Sequence, residues 1–263
     1  VRPLAFSTLG MPGAPVEEVL AVAAEYGCAG VELRCAEGEP VAPDTPAAEL
    51  RAVAGAFAAA GVEIVAVCSY TRVARPEGDP VAEVLRHVEI AETLGSPYVR
   101  VFGGVEGQAD PVAVATARLA EVADRLPDNG VTVLLETHDV FLTGEAVAAV
   151  LAGVGSPRVG ALWDMVNPWR AGEPPARTAD ALAPYLRHVQ IKDTDSPSRL
   201  TPVLPGQGVA GVRGVLEQLD RIGYSGYLAL EWERAWFPDA PPVEEALAAF
   251  RAVVDRGAGR VHI

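Results

Sequence analysis

The chain lacks what a disulfide scaffold or a zinc module would need. Among 263 residues there are three cysteines, Cys28, Cys35 and Cys68, odd in number and without CxxC spacing. Reduced, mostly buried thiols in a cytoplasmic protein are the expectation. Basic charge is also scarce. Lys and Arg total 21 against 35 Asp and Glu, a formal net charge of −14, which argues against a nucleic-acid partner and against an anionic membrane surface. The most apolar window, residues 52–68, is interrupted by Gly61 and Glu63 and reads as a helix end, a turn and a strand, not a membrane span. The opening VRPLAFSTLGMPG has no signal-peptide apolar core. No Ser/Gly linker, charge block or low-complexity tract marks a boundary, so 1–263 is expected to be one domain. Histidines number four (His87, His138, His188 and His262).

What is present is a repeat. A helical stretch, a glycine, one to three residues and an apolar strand recur as EYGCAGVELR, AAGVEIVAV, TLGSPYVRVF, DNGVTVLLE, GVGSPRVGALWD and RIGYSGYLALE. Their glycines are Gly27, Gly61, Gly95, Gly130, Gly155 and Gly223, each fitted to end a helix in the left-handed conformation. PLAFST and HVQIKD (188–193) complete eight strands. Amphipathic helices are expected over 15–27, 46–60, 79–94, 109–126, 143–153, 178–186, 210–222 and 242–256. Strand–helix alternation implies parallel strands, and eight such units imply an α/β fold, a single (β/α)8 TIM barrel. A helical array fails because IVAV, YVRVF and VTVLL are too short and too β-branched. A doubly wound sheet would be served by a glycine-rich phosphate loop after strand one, and none is there.

Alternate residues of a barrel strand point inward, and reactive groups belong at the strands' C-terminal ends. On that parity Glu32 and Arg34 share one side of GVELR, and Arg100 opposes Val99 and Val101. Glu136 and His138 end strand five, and Asp164 ends strand six. Strand seven supplies His188, Gln190 and Lys192, and strand eight ends in Glu231 and Glu233. Glu136, Asp164 and Glu231 would bring three carboxylates to one mouth. Without a cation they repel, and at least one stays protonated. A divalent ion resolves the conflict. Oxygen donors favour Mn²⁺ or Mg²⁺, and a nearby His extends the choice to Co²⁺ or Zn²⁺.

The ordered set LLETHD (134–139), LWDMVNPW (162–169), HVQIKD (188–193), LPGQG (204–208) and GYSGYLALEWE (223–233), with GVELR before it, resembles the xylose isomerase-like barrels of the sugar phosphate isomerase/epimerase superfamily. The resemblance covers nearly the whole chain. It implies one divalent metal held by Glu136, Asp164, Gln190 and Glu231, with Glu136 and Glu231 also the acid/base pair. Two family histidines are replaced by amides here, at Gln190 and at Asn167. Gln190 either ligates through its carbonyl oxygen or only hydrogen-bonds substrate. Asn167 orients a substrate oxygen and does no proton chemistry. A homodimer or homotetramer is implied by resemblance alone.

The chemistry that fits is proton abstraction next to a carbonyl in a sugar or polyhydroxylated compound, through a metal-stabilised enediolate. His138, His188 and Lys192 are candidate substrate or supporting hydrogen-bond partners. Arg100 is another candidate contact, with an ion pair to Glu32 as its simpler role. Trp169, Trp236 and Phe237 fall in loops that would wall a sugar ring. The alternative is a dehydratase of inositol-ketone or dehydroshikimate type, using the same enolate and expelling a β-hydroxyl. A non-catalytic sugar-binding barrel and a zinc endonuclease rank lower, the latter because four histidines and an acidic chain do not suit it. The loop SPSRLTPVLPGQG after strand seven is long enough for a lid.

Overall fold

In the computed structural model, residues 2–107, 109–128 and 130–258 are described. Val1 and residues 259–263, the ends of the expected domain, lie outside them, as does His262. The eight strands are β1 (Leu4–Ser7), β2 (Gly30–Arg34), β3 (Glu63–Arg72), β4 (Tyr98–Phe102), β5 (Thr132–Glu136), β6 (Val159–Asp164), β7 (Leu186–Ile191) and β8 (Leu228–Leu230). They close in sequence order into one barrel, with β8 pairing β1 in parallel. The expected (β/α)8 architecture is therefore present.

The outer layer consists of α1 (Val16–Tyr26), α2 (Ala47–Ala60), α3 (Pro80–Leu94), α4 (Pro111–Arg125), α5 (Gly144–Val154), α6 (Val166–Arg170), α7 (Pro175–Leu182), α8 (Val212–Arg221) and α9 (Val243–Ala258). Helix starts follow local chemistry. Asp79, Asp110 and Thr143 each accept a backbone N–H from the first turn of their helix, satisfying donors that the helix itself cannot. Helix ends follow it too. Gly27, Gly61, Gly95 and Gly155 close α1, α2, α3 and α5 in the left-handed conformation.

Some elements differ from the sequence reading, and β8 stops at Leu230, before Glu231 and Glu233. The helix expected over 178–186 is α7, three residues earlier, because Pro175 suits a first helical turn and Leu186 already opens β7. A short helix, α6, follows β6. β3 runs on to Arg72, past the apolar stretch that marked it.

Period-two alternation divides the strands between two environments. Val31, Leu33, Val99, Val101, Val189 and Ile191 join the main apolar cluster under the helices. Ala5, Val65 and Ala229 form a separate small cluster with Tyr98 and Tyr227 packed against it. By strand parity this second cluster fills the barrel interior below the polar residues. Among the described residues, no helix is long and apolar enough to cross a membrane.

Candidate active site

The deepest polar group of the interior centres on Glu32, which is fully buried. Its Oε1 lies 2.6 Å from His188 Nε2 and its Oε2 accepts from Gln190 Nε2 at 2.9 Å. β2 and β7 are not neighbours in the sheet, so these bonds cross the barrel. Cys68 Sγ also approaches Glu32 Oε2, at 3.7 Å. The sequence reading had paired Arg100 with Glu32. That pairing is wrong: Arg100 Nη1 bonds Glu136 Oε2 at 2.9 Å, because β4 and β5 lie side by side and place the two ends together.

Two atoms of this layer are buried without a hydrogen-bond partner, Gln190 Oε1 and His188 Nδ1. An unsatisfied buried acceptor costs about 1–3 kcal/mol. For Gln190 the cause is legible. An ionised carboxylate only accepts, so the amide must turn its NH2 toward Glu32, and the carbonyl is left over.

Above this layer a single ammonium gathers three carboxylates. Lys192 Nζ lies 2.8 Å from Asp164 Oδ2, 2.7 Å from Glu231 Oε2 and 2.7 Å from Glu233 Oε1. Lys192 follows the last residue of β7, and Asp164 and Glu231 sit at the ends of the strands on either side, so sheet order alone brings them together. Asp164 is further fixed by Asn167 Nδ2, which donates to Oδ2 at 2.6 Å, and by the backbone N–H of Val166, which donates to Oδ1. α6 thus serves to hold Asp164 from behind. Among the described residues, no three His, Cys, Asp or Glu side chains are grouped so that they could hold a metal ion. Lys192 stands between Asp164 and Glu231.

The carboxylates differ in environment. Burial pushes Glu136 up to about 8 against the opposing pull of Arg100 and then His138. Burial also raises Asp164 and Glu233 in spite of Lys192. Glu231 goes the other way: burial opposes ionisation, but Lys192 and then Arg100 hold it below the usual carboxylate value. Lys192 loses by burial and gains more from Asp164, Glu231 and Glu233, so it stays charged.

The mouth cavity is lined by Leu9, Tyr70, Arg100, Phe102, Glu136, His138, Lys192, Glu231, Glu233 and Trp236. His138 bonds Asp139 at 2.7 Å and lies against Phe102, ring centroids 4.3 Å apart. The half-exposed Trp236 and Tyr70 flank the Arg34 guanidinium. The expected site residues thus fall into three places. Glu136, Glu231, Arg100, His138 and Lys192 line the cavity. Asp164, Asn167, Gln190 and His188 are fully or nearly buried behind or beneath it. Trp169 packs against the main apolar core instead, and Phe237 is half-buried.

Sequence reasoning missed Tyr70 and Asp193. Tyr70 lies in the extension of β3 that the apolar pattern did not reveal. Asp193 is buried and accepts the backbone N–H groups of Thr194, Gly206, Gly208 and Ala210. Its signal was present, an acidic residue at a strand end followed by a glycine-rich loop. The loop it gathers covers a small cavity shared by Lys192, Glu231, Glu233, Leu200 and Pro202.

Residues 20–253 match a family model described as xylose isomerase-like TIM barrel. Two curated relatives are both fructoselysine 3-epimerases. The Escherichia coli O157:H7 protein is 26% identical over 269 residues, covering 94% of this chain and 96% of its own. The Shigella flexneri protein is 28% identical over 177 residues, a match spanning 64% of each chain. Among solved structures, the IOLI protein with a binding zinc atom superposes with a TM-score of 0.84 at 20% identity, over 99% of both chains. At that identity the likeness speaks for the fold.

Proposed function

The chain belongs to the xylose isomerase-like TIM barrel family, and from that premise we propose that it is an isomerase or epimerase of a sugar or polyhydroxylated carbonyl compound. One observation carries the reading: Glu136, Asp164, Glu231 and Glu233 crowd one barrel mouth and share, among the described residues, two permanent cations as ion-pair partners, Arg100 and Lys192. The 3-epimerase activity named for both curated relatives supports a ketose as substrate.

Two features of the donor set favour a divalent cation that displaces the Lys192 ammonium from between Asp164 and Glu231. The carboxylates outnumber the cations, and burial raises Glu136, Asp164 and Glu233, with the neighbouring carboxylates pushing the same way. The carbonyl of Gln190 is buried and unpartnered, an oxygen donor without a use in the protein itself. Glu136, Asp164, Gln190 and Glu231 are the residues that would hold the ion. Neutral and acidic oxygens favour Mn²⁺ or Mg²⁺ over softer metals. When bound, the ion supplies Lewis-acid stabilisation of the charge that develops next to the carbonyl.

The rest of the chemistry falls to the chain. Of Glu136 and Glu231, one takes the proton next to the carbonyl and the other returns it. Arg100 orients Glu136. Lys192 orients Glu231 and balances its charge. His138, held by Asp139, offers its other ring nitrogen to a substrate hydroxyl, while Trp236, Tyr70 and Phe102 form the apolar wall.

The test is incubation with a panel of ketoses and cyclic polyol ketones in D2O with added Mn²⁺. Epimerisation or isomerisation leaves composition unchanged and puts deuterium on the carbon next to the carbonyl. Loss of water with a conjugated, UV-absorbing product would replace this reading with the dehydratase.

A further inference from the structure

Among the described residues, Glu32 forms no ion pair with Arg100 or Lys192, the cations of the mouth. It lies below them, fully buried, and its two oxygens are divided between two residues of one strand, His188 and Gln190. Both contacts cross the barrel from β2 to β7. We infer that Glu32 is a positioning residue for the proposed metal site: it fixes the amide of Gln190 with its carbonyl oxygen free to act as a neutral ligand. The inference rests on the metal-dependent reading above.

The argument is one of donor and acceptor roles. A glutamine amide can present either end in a given place, and its two orientations are nearly equal in shape. Only a partner of fixed polarity decides between them. A carboxylate is such a partner, because it only accepts. Facing Glu32, Gln190 must offer Nε2, and Oε1 is committed to the other side. The carbonyl then has no hydrogen-bond partner although the residue is fully buried. A fold gains nothing from orienting an amide so that its acceptor is orphaned. A ligand for that acceptor would explain the orientation.

The other Glu32 oxygen applies the same rule to His188. Its Nε2 must carry a proton to donate, which leaves Nδ1 as the unpartnered atom. His188 therefore occupies the second oxygen and keeps Glu32 from rotating away from Gln190. Glu32 acts on the site only through these contacts, since it does not line the mouth cavity.

The test is Mn²⁺ affinity by calorimetry on the intact chain, for wild type, Glu32→Gln, Gln190→Leu and the double variant. Glu32→Gln keeps the shape but gives Gln190 a partner that can accept or donate, so the amide is free to flip. The expected result is binding at least tenfold weaker in Glu32→Gln, within the range that outer supports of metal ligands usually show. Gln190→Leu should be weakened similarly, and adding Glu32→Gln to it should change the affinity little further. Unchanged affinity in Glu32→Gln, or in Gln190→Leu if Glu32→Gln fails to fold, overturns the inference and leaves the metal reading standing. A loss in Glu32→Gln that recurs in full in the Gln190→Leu background also overturns it, since Glu32 would then act elsewhere. No Mn²⁺ binding by wild type removes the metal reading and this inference together.

Discussion

Lys192 Nζ lies 2.7 Å from Glu231 Oε2 and, on its other side, 2.8 Å from Asp164 Oδ2. An ammonium therefore stands between two of the carboxylates proposed to hold a divalent ion, and the two cations compete. Lys192→Met removes one competitor and keeps the apolar stem. Without added metal the variant should lose about 3 kcal/mol of stability in urea unfolding, because buried carboxylates lose their counter-charge. It should gain more from Mn²⁺, with a larger melting shift than wild type at equal concentration. A smaller shift would mean that Lys192 supports metal binding instead of opposing it.

Glu136→Gln and Glu231→Gln should both lower turnover, by about 10²–10⁴ as removal of a positioned acid or base does. Deuterium uptake from D2O by the accepted substrate measures this directly. Their stabilities should differ. Glu136→Gln strips the buried Arg100 of its ion-pair partner, whereas Glu231→Gln leaves Lys192 with Asp164 and Glu233. Glu136→Gln should therefore be the less stable of the two in urea. Wild-type deuterium uptake in either variant would remove that residue from the proton-transfer pair.

The barrel was legible because its signals are local. GVELR, YVRVF and VGALWD coincide with β2, β4 and β6, each bounded by a glycine or a polar turn, GVELR and YVRVF alternating with period two and VGALWD a short apolar run ending in Asp164. The same alternation marked which polar side chains face inward. The partners of those side chains were not legible. Glu32 meets His188 across 156 positions of sequence, a contact that exists only once the barrel closes. Nothing local distinguished Glu136 from Glu32 as the partner of Arg100. α6 escaped notice because MVNPWR is short and carries Pro168, which a helix tolerates only near its start. The missed Tyr70 sits where β3 continues through polar residues, a run that hydropathy alone does not mark as strand.

The three thiols give a pH prediction. All three are buried and free. Burial raises Cys28 to about 11, Cys35 to about 12 and Cys68 well above its ordinary value. The folded state thus holds thiol protons that the unfolded chain releases from about pH 8.5 upward. In that window the native state binds more protons, so stability falls as pH rises. The contribution is complete below about pH 8 and is lost progressively from about pH 8.5 upward, to about pH 11 for Cys28 and about pH 12 for Cys35. Each thiol costs about 1.4 kcal/mol per pH unit within its own window. Urea unfolding at pH 8 and pH 10, on wild type and a Cys28→Ala/Cys35→Ala variant, should show a shallower fall in the variant. Ellman's reagent at pH 8 should react slowly with the native protein and fully in urea. Fast reaction with the native protein would contradict the burial argument.

Asp193 governs the loop over the mouth. Oδ1 accepts the N–H groups of Thr194 and Ala210, at 3.0 and 3.1 Å, and Oδ2 accepts those of Gly206 and Gly208, at 2.9 and 3.0 Å. An ionised carboxylate is suited to four donors, and an amide is not: Asp193→Asn must turn an NH2 toward two N–H groups whichever way it faces. About 3 kcal/mol of stability should be lost, as charge-assisted bonds break and donors are left unpaired. Limited proteolysis should then cut between residues 194 and 211 before any other region. Gly208→Ala provides an independent check, because a Cβ there would lie 2.2 Å from Asp193 Oδ1 and 2.5 Å from its Cγ, and backbone and carboxylate would have to part. The loop also covers a cavity lined by Lys192 and Glu231, so both variants should raise KM. A variant with wild-type stability and KM would show that the loop holds its place without Asp193.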